Sequence, residues 1–149
     1  MKKLAQLVII CILGLSFSAC EMETSDNGQL DGFWQLTSVD SLNSGRSADM
    51  HQSGIYWGIQ VHLLSIKDMK KDQSYMFRFS MTGDTLRLYA PIKDIRHSAG
   101  EVLDEHVMTP MELRNIGFSH LEERFKVLQL TGSRMALQNE RLRMYFRKY

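Results

Sequence analysis

Cysteine is almost absent from this 149-residue chain, and both copies, Cys11 and Cys20, fall within the first twenty positions. Everything after Cys20 is therefore without a thiol, which excludes an intrachain disulfide there and any cysteine-ligated metal cluster. Charge of one sign is lacking too. Eighteen Lys and Arg stand against 17 Asp and Glu, for a net charge of +1, and no basic block is dense enough to track a phosphate backbone. Nucleic acid is thus excluded as the natural partner. The sequence has no Gly-x-Ser-x-Gly, no phosphate loop and no dinucleotide fingerprint. Its five histidines, His51, His62, His97, His106 and His120, form neither a His-x-His nor a His-Glu-x-x-His spacing. Asp104-Glu105-His106 places three ligand types in a row, but neighbours in a loop seldom converge on one ion. We expect no metal, no cofactor and no catalytic residues.

What is present begins at the N-terminus. Met1-Lys2-Lys3 is followed by an apolar stretch from Leu4 to Ala19 and then by the polar run Glu21 to Gly28. A basic start, an apolar middle and small residues before a break describe an export signal over 1–19. The 16 residues between Lys3 and Cys20 are short of the roughly 20 that span a bilayer. Phe17-Ser18-Ala19-Cys20 resembles the lipobox of bacterial lipoproteins, with Phe17 in place of the usual Leu, a variation familiar from Bacteroidetes. The resemblance implies diacylglyceration of Cys20, cleavage before it, and a lipid-anchored place in the cell envelope, at the outer membrane. The alternative is a secreted protein cut after Ala19 with Cys20 as a free thiol. Several acyl chains anchor stably where one binds only marginally.

Residues 20–30 are polar and aperiodic and read as a tether. From Asp31 onward the period is two. Trp34 and Leu36 share one phase, with Phe33, Gln35, Thr37 and Val39 on the other. Asp40 to Gln52 reads as a long loop. Ile55, Trp57, Ile59, Val61 and Leu63 alternate as one long strand. Tyr75 to Ala90 is a hairpin about Gly83-Asp84. Pro91 to Val107 reads as loop with a short strand. Thr109-Pro110-Met111-Glu112 is a capping box with Pro at the first helical position, and Gly117 suits the stop, so one short helix is expected over 110–116. Strands return from Glu122, with a slip in alternation at Val127-Leu128 that signals a bulge, and end in Leu142, Met144 and Phe146 alternating with Arg141, Arg143, Tyr145 and Arg147. Tight turns without intervening helices imply a mostly β, antiparallel meander of seven or eight strands in one domain, 31–149.

Asp31-Gly32-Phe33-Trp34, opening the first strand, is similar to the Gly-x-Trp entry of lipocalins, and the span to Tyr149 resembles lipocalin-like lipoprotein domains of Bacteroidetes. The resemblance implies a barrel in which Gly32 and Trp34 form a structural signature with an Arg from the final strands, Arg143 or Arg141. It also implies a non-enzymatic protein that binds a small apolar molecule; the competing reading is an interaction module with a filled core. Trp57, Phe77, Phe79, Leu88, Met144 and Phe146 lie on the apolar phases of their strands and are the candidate pocket wall. Ser41–Gln52 and Pro91–Val107 would form its mouth.

Overall fold

The computed structural model describes residues 24–93 and 105–149; the export signal, Cys20, His97 and Asp104 lie outside the described residues. Five strands precede the hairpin turn at Gly83: β1 (Gly32–Ser41), β2 (Ser47–Asp49), β3 (Ile55–Gln60), β4 (Leu63–Asp68) and β5 (Gln73–Thr82). Five follow it: β6 (Thr85–Lys93), β7 (Glu105–His106), β8 (Glu123–Leu130), β9 (Arg134–Gln138) and β10 (Leu142–Lys148). Eight of them pair in the order β1-β3-β4-β5-β6-β8-β9-β10, and β10 returns to β1, so the antiparallel sheet closes on itself as a barrel. The other two are short additions: β2 folds back on β1, and β7 pairs with β6. Closure removes the open edges that an eight-stranded sheet would otherwise expose.

The expected hairpin is present, with Thr82 opposite Thr85 and Gly83 at φ +59° supplying the turn. So is the bulge near Leu128, where the β8–β9 register shifts between Val127 and Gln129. Three readings need correction. The long strand from Ile55 to Leu63 is two strands, because Val61 takes φ +55° and reverses the chain; Leu63 then starts β4 on the outer face, 49% exposed. Alternation alone does not reveal this: the inward phase passes from Trp57 and Ile59 in β3 to Leu64 and Ile66 in β4, but the apolar Val61 and the outward Leu63 continue the odd-numbered pattern across the turn. Asp40–Gln52 is not all loop, since β1 runs to Ser41 and β2 lies within the span. Val39 packs against the core and not on the outer phase, because the β1–β10 register shifts between Leu36 and Ser38.

The helix expected over 110–116 forms there as a 3-10 helix, Pro110–Ile116. The Thr109 backbone N–H and hydroxyl both donate to the Glu112 carboxylate (3.2 and 3.1 Å). Gly117 stops the helix at φ +87°, where an added Cβ would lie 3.1 Å from Leu142 and 3.2 Å from Met144. The Gly117 and Phe118 N–H groups then donate back to Arg114 and Leu113 carbonyls, the usual hydrogen bonds of a Gly-capped stop. That stop turns Leu113, Ile116 and Phe118 into the barrel at its far end, opposite the chain's entry.

The near end is closed by Gly28–Leu30, a single 3-10 turn inside the expected tether. Leu30 is buried, and its carbonyl accepts the indole N–H of Trp34 (2.8 Å), itself fully buried. A cation does sit on the Trp34 ring, but it is Lys148, with Nζ 4.7 Å from the ring centroid, and neither Arg143 nor Arg141. Strand register is the reason. Lys148 lies opposite Trp34, whereas Arg143 lies opposite Asp40, five residues further along, or about 17 Å. Arg143 is also on the outward phase and donates to Gln138 Oε1 (2.9 Å), while Arg141 bonds the Ser119 hydroxyl at the far end. Gly32, at φ +127°, gives Lys148 its path: a Cβ there would stand 2.9 Å from Lys148 Cε.

The β6–β8 seam is short, four register pairs from Thr85↔Lys126 to Leu88↔Glu123. A charged clamp crosses it on the outer wall. Arg87 donates to Glu122 (2.5 Å), and Arg124 donates to the same carboxylate (2.9 Å). These bonds, Arg87 first, hold the Glu122 carboxyl down at about 2 from an ordinary 4.5.

Two outcomes are expected. Trp34→Ala removes a fully buried ring and the seat of Lys148, and should cost about 3–5 kcal/mol in urea unfolding. Glu122 binds its proton more weakly folded than unfolded, so its stabilising effect is complete above pH 4.5 and is lost as the pH falls toward 2. Glu122→Gln should therefore flatten the acid limb of the stability profile between those values, read as urea midpoints at successive pH.

Candidate functional site

The six candidate wall residues are brought together. Trp57, Phe77, Phe79, Leu88, Met144 and Phe146 all point inward, with exposures from 0% to 7%. Trp57 is the hub: its ring lies 4.8 Å from Phe146, 5.8 Å from Phe125 and 6.1 Å from Phe118. Phe118 also contacts Phe77 at 5.4 Å and Phe125 at 5.6 Å. Side chains lining an open cavity keep accessible area, and these keep almost none. In the packed barrel they fill the centre, and a ligand there would have to displace them. Phe118 was missed as a core residue by pattern reading because it lies in no strand. The available signal was its place just after the helix-stopping Gly117, where an apolar residue folds back on the helix.

A different concavity lies on the outer wall. Phe33, Gly58, Ser65 and Met76 form one cross-strand row over β1, β3, β4 and β5. With Gly32, Gln60, Val61 and Leu63 they line an open hollow of about 700 Å³. Its depth comes from Gly58. A Cβ there would sit 2.7 Å from Ser65 Oγ and 3.5 Å from the Phe33 ring, so any larger residue would fill the floor. The Ser65 hydroxyl is occupied within the wall, donating to the Gly58 carbonyl (3.3 Å). The rim is apolar and half-exposed, with Phe33 at 41% and Leu63 at 49%. Beside it Phe33 stacks on Tyr56 (5.0 Å, 3° between planes), and Tyr149 meets both rings edge-on. Such a surface can hold an apolar molecule by area and aromatic contact.

A second, smaller cleft of about 180 Å³ at the far end is polar, lined by Ser119, His120, Glu122, Glu123, Arg124, Asn139, Glu140 and Arg141. Its buried carboxylate, Glu123, is fully engaged, accepting the Ser119 and His120 N–H groups (2.6 and 3.0 Å) and the Asn139 amide (3.3 Å). It is a cap for a turn. Among the described residues no three His, Cys, Asp or Glu side chains gather as metal ligands. His51 is paired with Asp49 (2.7 Å), whose carboxyl the hydrogen bonds from the His51 backbone and ring hold below its usual range. Glu105 and His106 are spent as the exposed strand β7. Of the expected mouth loops, the first is not at the hollow. Ser41–Gln52 folds β2 onto β1 toward the opposite end, and residues 94–104 of Pro91–Val107 lie outside the described residues.

The comparisons with known proteins follow the same line. Residues 15–149 match the model of a lipocalin-like domain family. A lipocalin-like protein from Bacteroides uniformis superposes with a TM-score of 0.60 at 20% identity, over 82% of this chain and all of its own. An uncharacterized protein from Bacteroides eggerthii superposes with a TM-score of 0.57, also at 20% identity, over 80% of this chain and 98% of its own. Among curated proteins none matches. At that identity the solved structures speak for the fold alone, and the family rests on the match along nearly the whole chain. The closed eight-stranded barrel that starts at Gly32-Phe33-Trp34 agrees with this match, and the chain belongs to the lipocalin-like domain family.

Proposed function

We propose that the protein is a lipid-anchored lipoprotein of the bacterial cell envelope, at the outer membrane, and that its barrel is a non-enzymatic binding module for a small apolar molecule. The ligand sits in the outer hollow between Phe33 and Leu63, not in the barrel centre. One observation carries this. The interior is closed by the Trp57 cluster, whereas the hollow offers about 700 Å³, within the usual range of ligand sites, behind an apolar rim. The anchor is supported by Phe17-Ser18-Ala19-Cys20 and by the apolar stretch before it. The filled interior favours a second reading, an interaction module that binds no small molecule.

Cys20→Ser should shift the protein from the membrane fraction to the soluble fraction or leave it unprocessed; unchanged membrane association would remove the anchor. A naphthalene sulfonate probe should bind the folded, acyl-free domain and be displaced by a fatty acid. Leu63→Asp, at an exposed position, should change stability by no more than about 0.5 kcal/mol. It should weaken probe binding about tenfold, the 1.4 kcal/mol expected from losing a half-buried leucine contact. A native domain that never takes up the probe would leave the interaction module as the function.

A further inference from the structure

The chain enters the barrel at one point, and that point is tied to the hollow. The Ser25 hydroxyl accepts the N–H of Val61 (2.7 Å), and the Asn27 amide donates to the Val61 carbonyl (2.9 Å). Asp31 organises the pair, accepting from Ser25 Oγ (2.6 Å) and from Asn27 Nδ2 (2.7 Å). Val61 is a β-branched residue at φ +55°, a conformation such residues rarely hold unless their surroundings impose it. Here both of its backbone polar groups are gripped by the entering segment. Val61 also lines the hollow, so Ser25 is fixed at the hollow's rim.

Chain length then limits what that rim can face. Cys20 to Ser25 is five steps, a reach of about 18 Å at full extension. The barrel is taller than this: the ten residues of β1, at ordinary rise and tilt, give about 25 Å. A barrel acylated at Cys20 therefore cannot stand on its far end, where Met69, Met108 and Met111 are exposed, because Ser25 would be held too high. The rim, in contrast, reaches the lipid without strain. Its chemistry suits that place. Leu63 and Phe33 offer apolar area, and Tyr56 and Tyr149 pair an apolar ring with a polar tip, the residue type that gathers at membrane–water interfaces.

We propose that the Phe33–Leu63 rim is seated on the bilayer that holds the anchor, and that the molecule filling the hollow is a lipid of that leaflet. This deepens the binding reading and rests on acylation of Cys20. The test uses the acylated protein reconstituted in vesicles of phosphatidylethanolamine and phosphatidylglycerol. Acylation leaves the Cys20 sulfur as a thioether, so Leu63→Cys gives the one free thiol for a nitroxide label; Glu140→Cys, in the far-end turn, is the reference. Flotation of the vesicles reads the anchor, and label accessibility reads the seating. On floated vesicles, label 63 should lose accessibility to an aqueous nickel complex and gain it to oxygen, while label 140 stays accessible to nickel. Tyr149→Cys, at the exposed C-terminus beside Phe33, serves if Leu63→Cys does not fold. Equal nickel accessibility of labels 63 and 140 on floated protein would overturn the seating and leave the anchor standing. Protein that does not float would overturn both.

Discussion

The barrel depends on how Trp34 is held. Its indole N–H is taken by the Leu30 carbonyl, its face by the Lys148 ammonium, and the space for Lys148 by the missing side chain at Gly32. These contacts join the entry turn, the first strand and the last strand at one buried ring. An eight-stranded sheet is a barrel only when its first and last strands pair, and here the register starts at Trp34↔Lys148. The cation–π contact itself is worth no more than about 0.5–2 kcal/mol. Its larger effect is on register: a slip of one residue would turn every inward side chain of β10 outward.

With the sheet closed, the interior must be filled. An eight-stranded barrel leaves room for side chains or for one small ligand, and the balance is set by how bulky those side chains are. Here a Trp and four Phe meet at ring distances of 4.8–6.1 Å. One of the rings, Phe118, lies just after the short 3-10 helix, outside any strand, while Phe125 comes from β8. The helix is thus part of the filling and not only a cover: its Gly117 stop is what delivers Phe118 to Trp57. The far end is closed by the same device.

A filled interior moves the accessible apolar surface to the outer wall. The hollow exists because Gly58 lies between Phe33 and Ser65 in a row of four strands, where any Cβ would occupy the floor. It lies at the end where the chain enters, through the grip of Ser25 and Asn27 on Val61. The hollow and the point where the chain enters the barrel are therefore one feature of the structure.

Local chemistry made several elements legible in the sequence. The 110–116 helix followed from Thr109, Pro110, Glu112 and Gly117, because capping and stopping act over a few adjacent residues. The Gly83 hairpin, the Val127–Gln129 bulge, the burial of Trp34 and the inward phase of Phe77, Phe79, Leu88, Met144 and Phe146 followed from period two for the same reason. Two of the corrected readings required a partner far along the chain. The turn at Val61 is stabilised by Ser25 and Asn27, 36 and 34 residues earlier, and no feature of Ile55–Leu63 announces it. The cation on Trp34 is Lys148 and not Arg143 because register across β1 and β10 decides it, and register belongs to the pair of strands. Whether the interior is a pocket or a core is likewise invisible in one strand. Period two states which side chains point inward; only the assembled barrel determines whether, once inside, they meet.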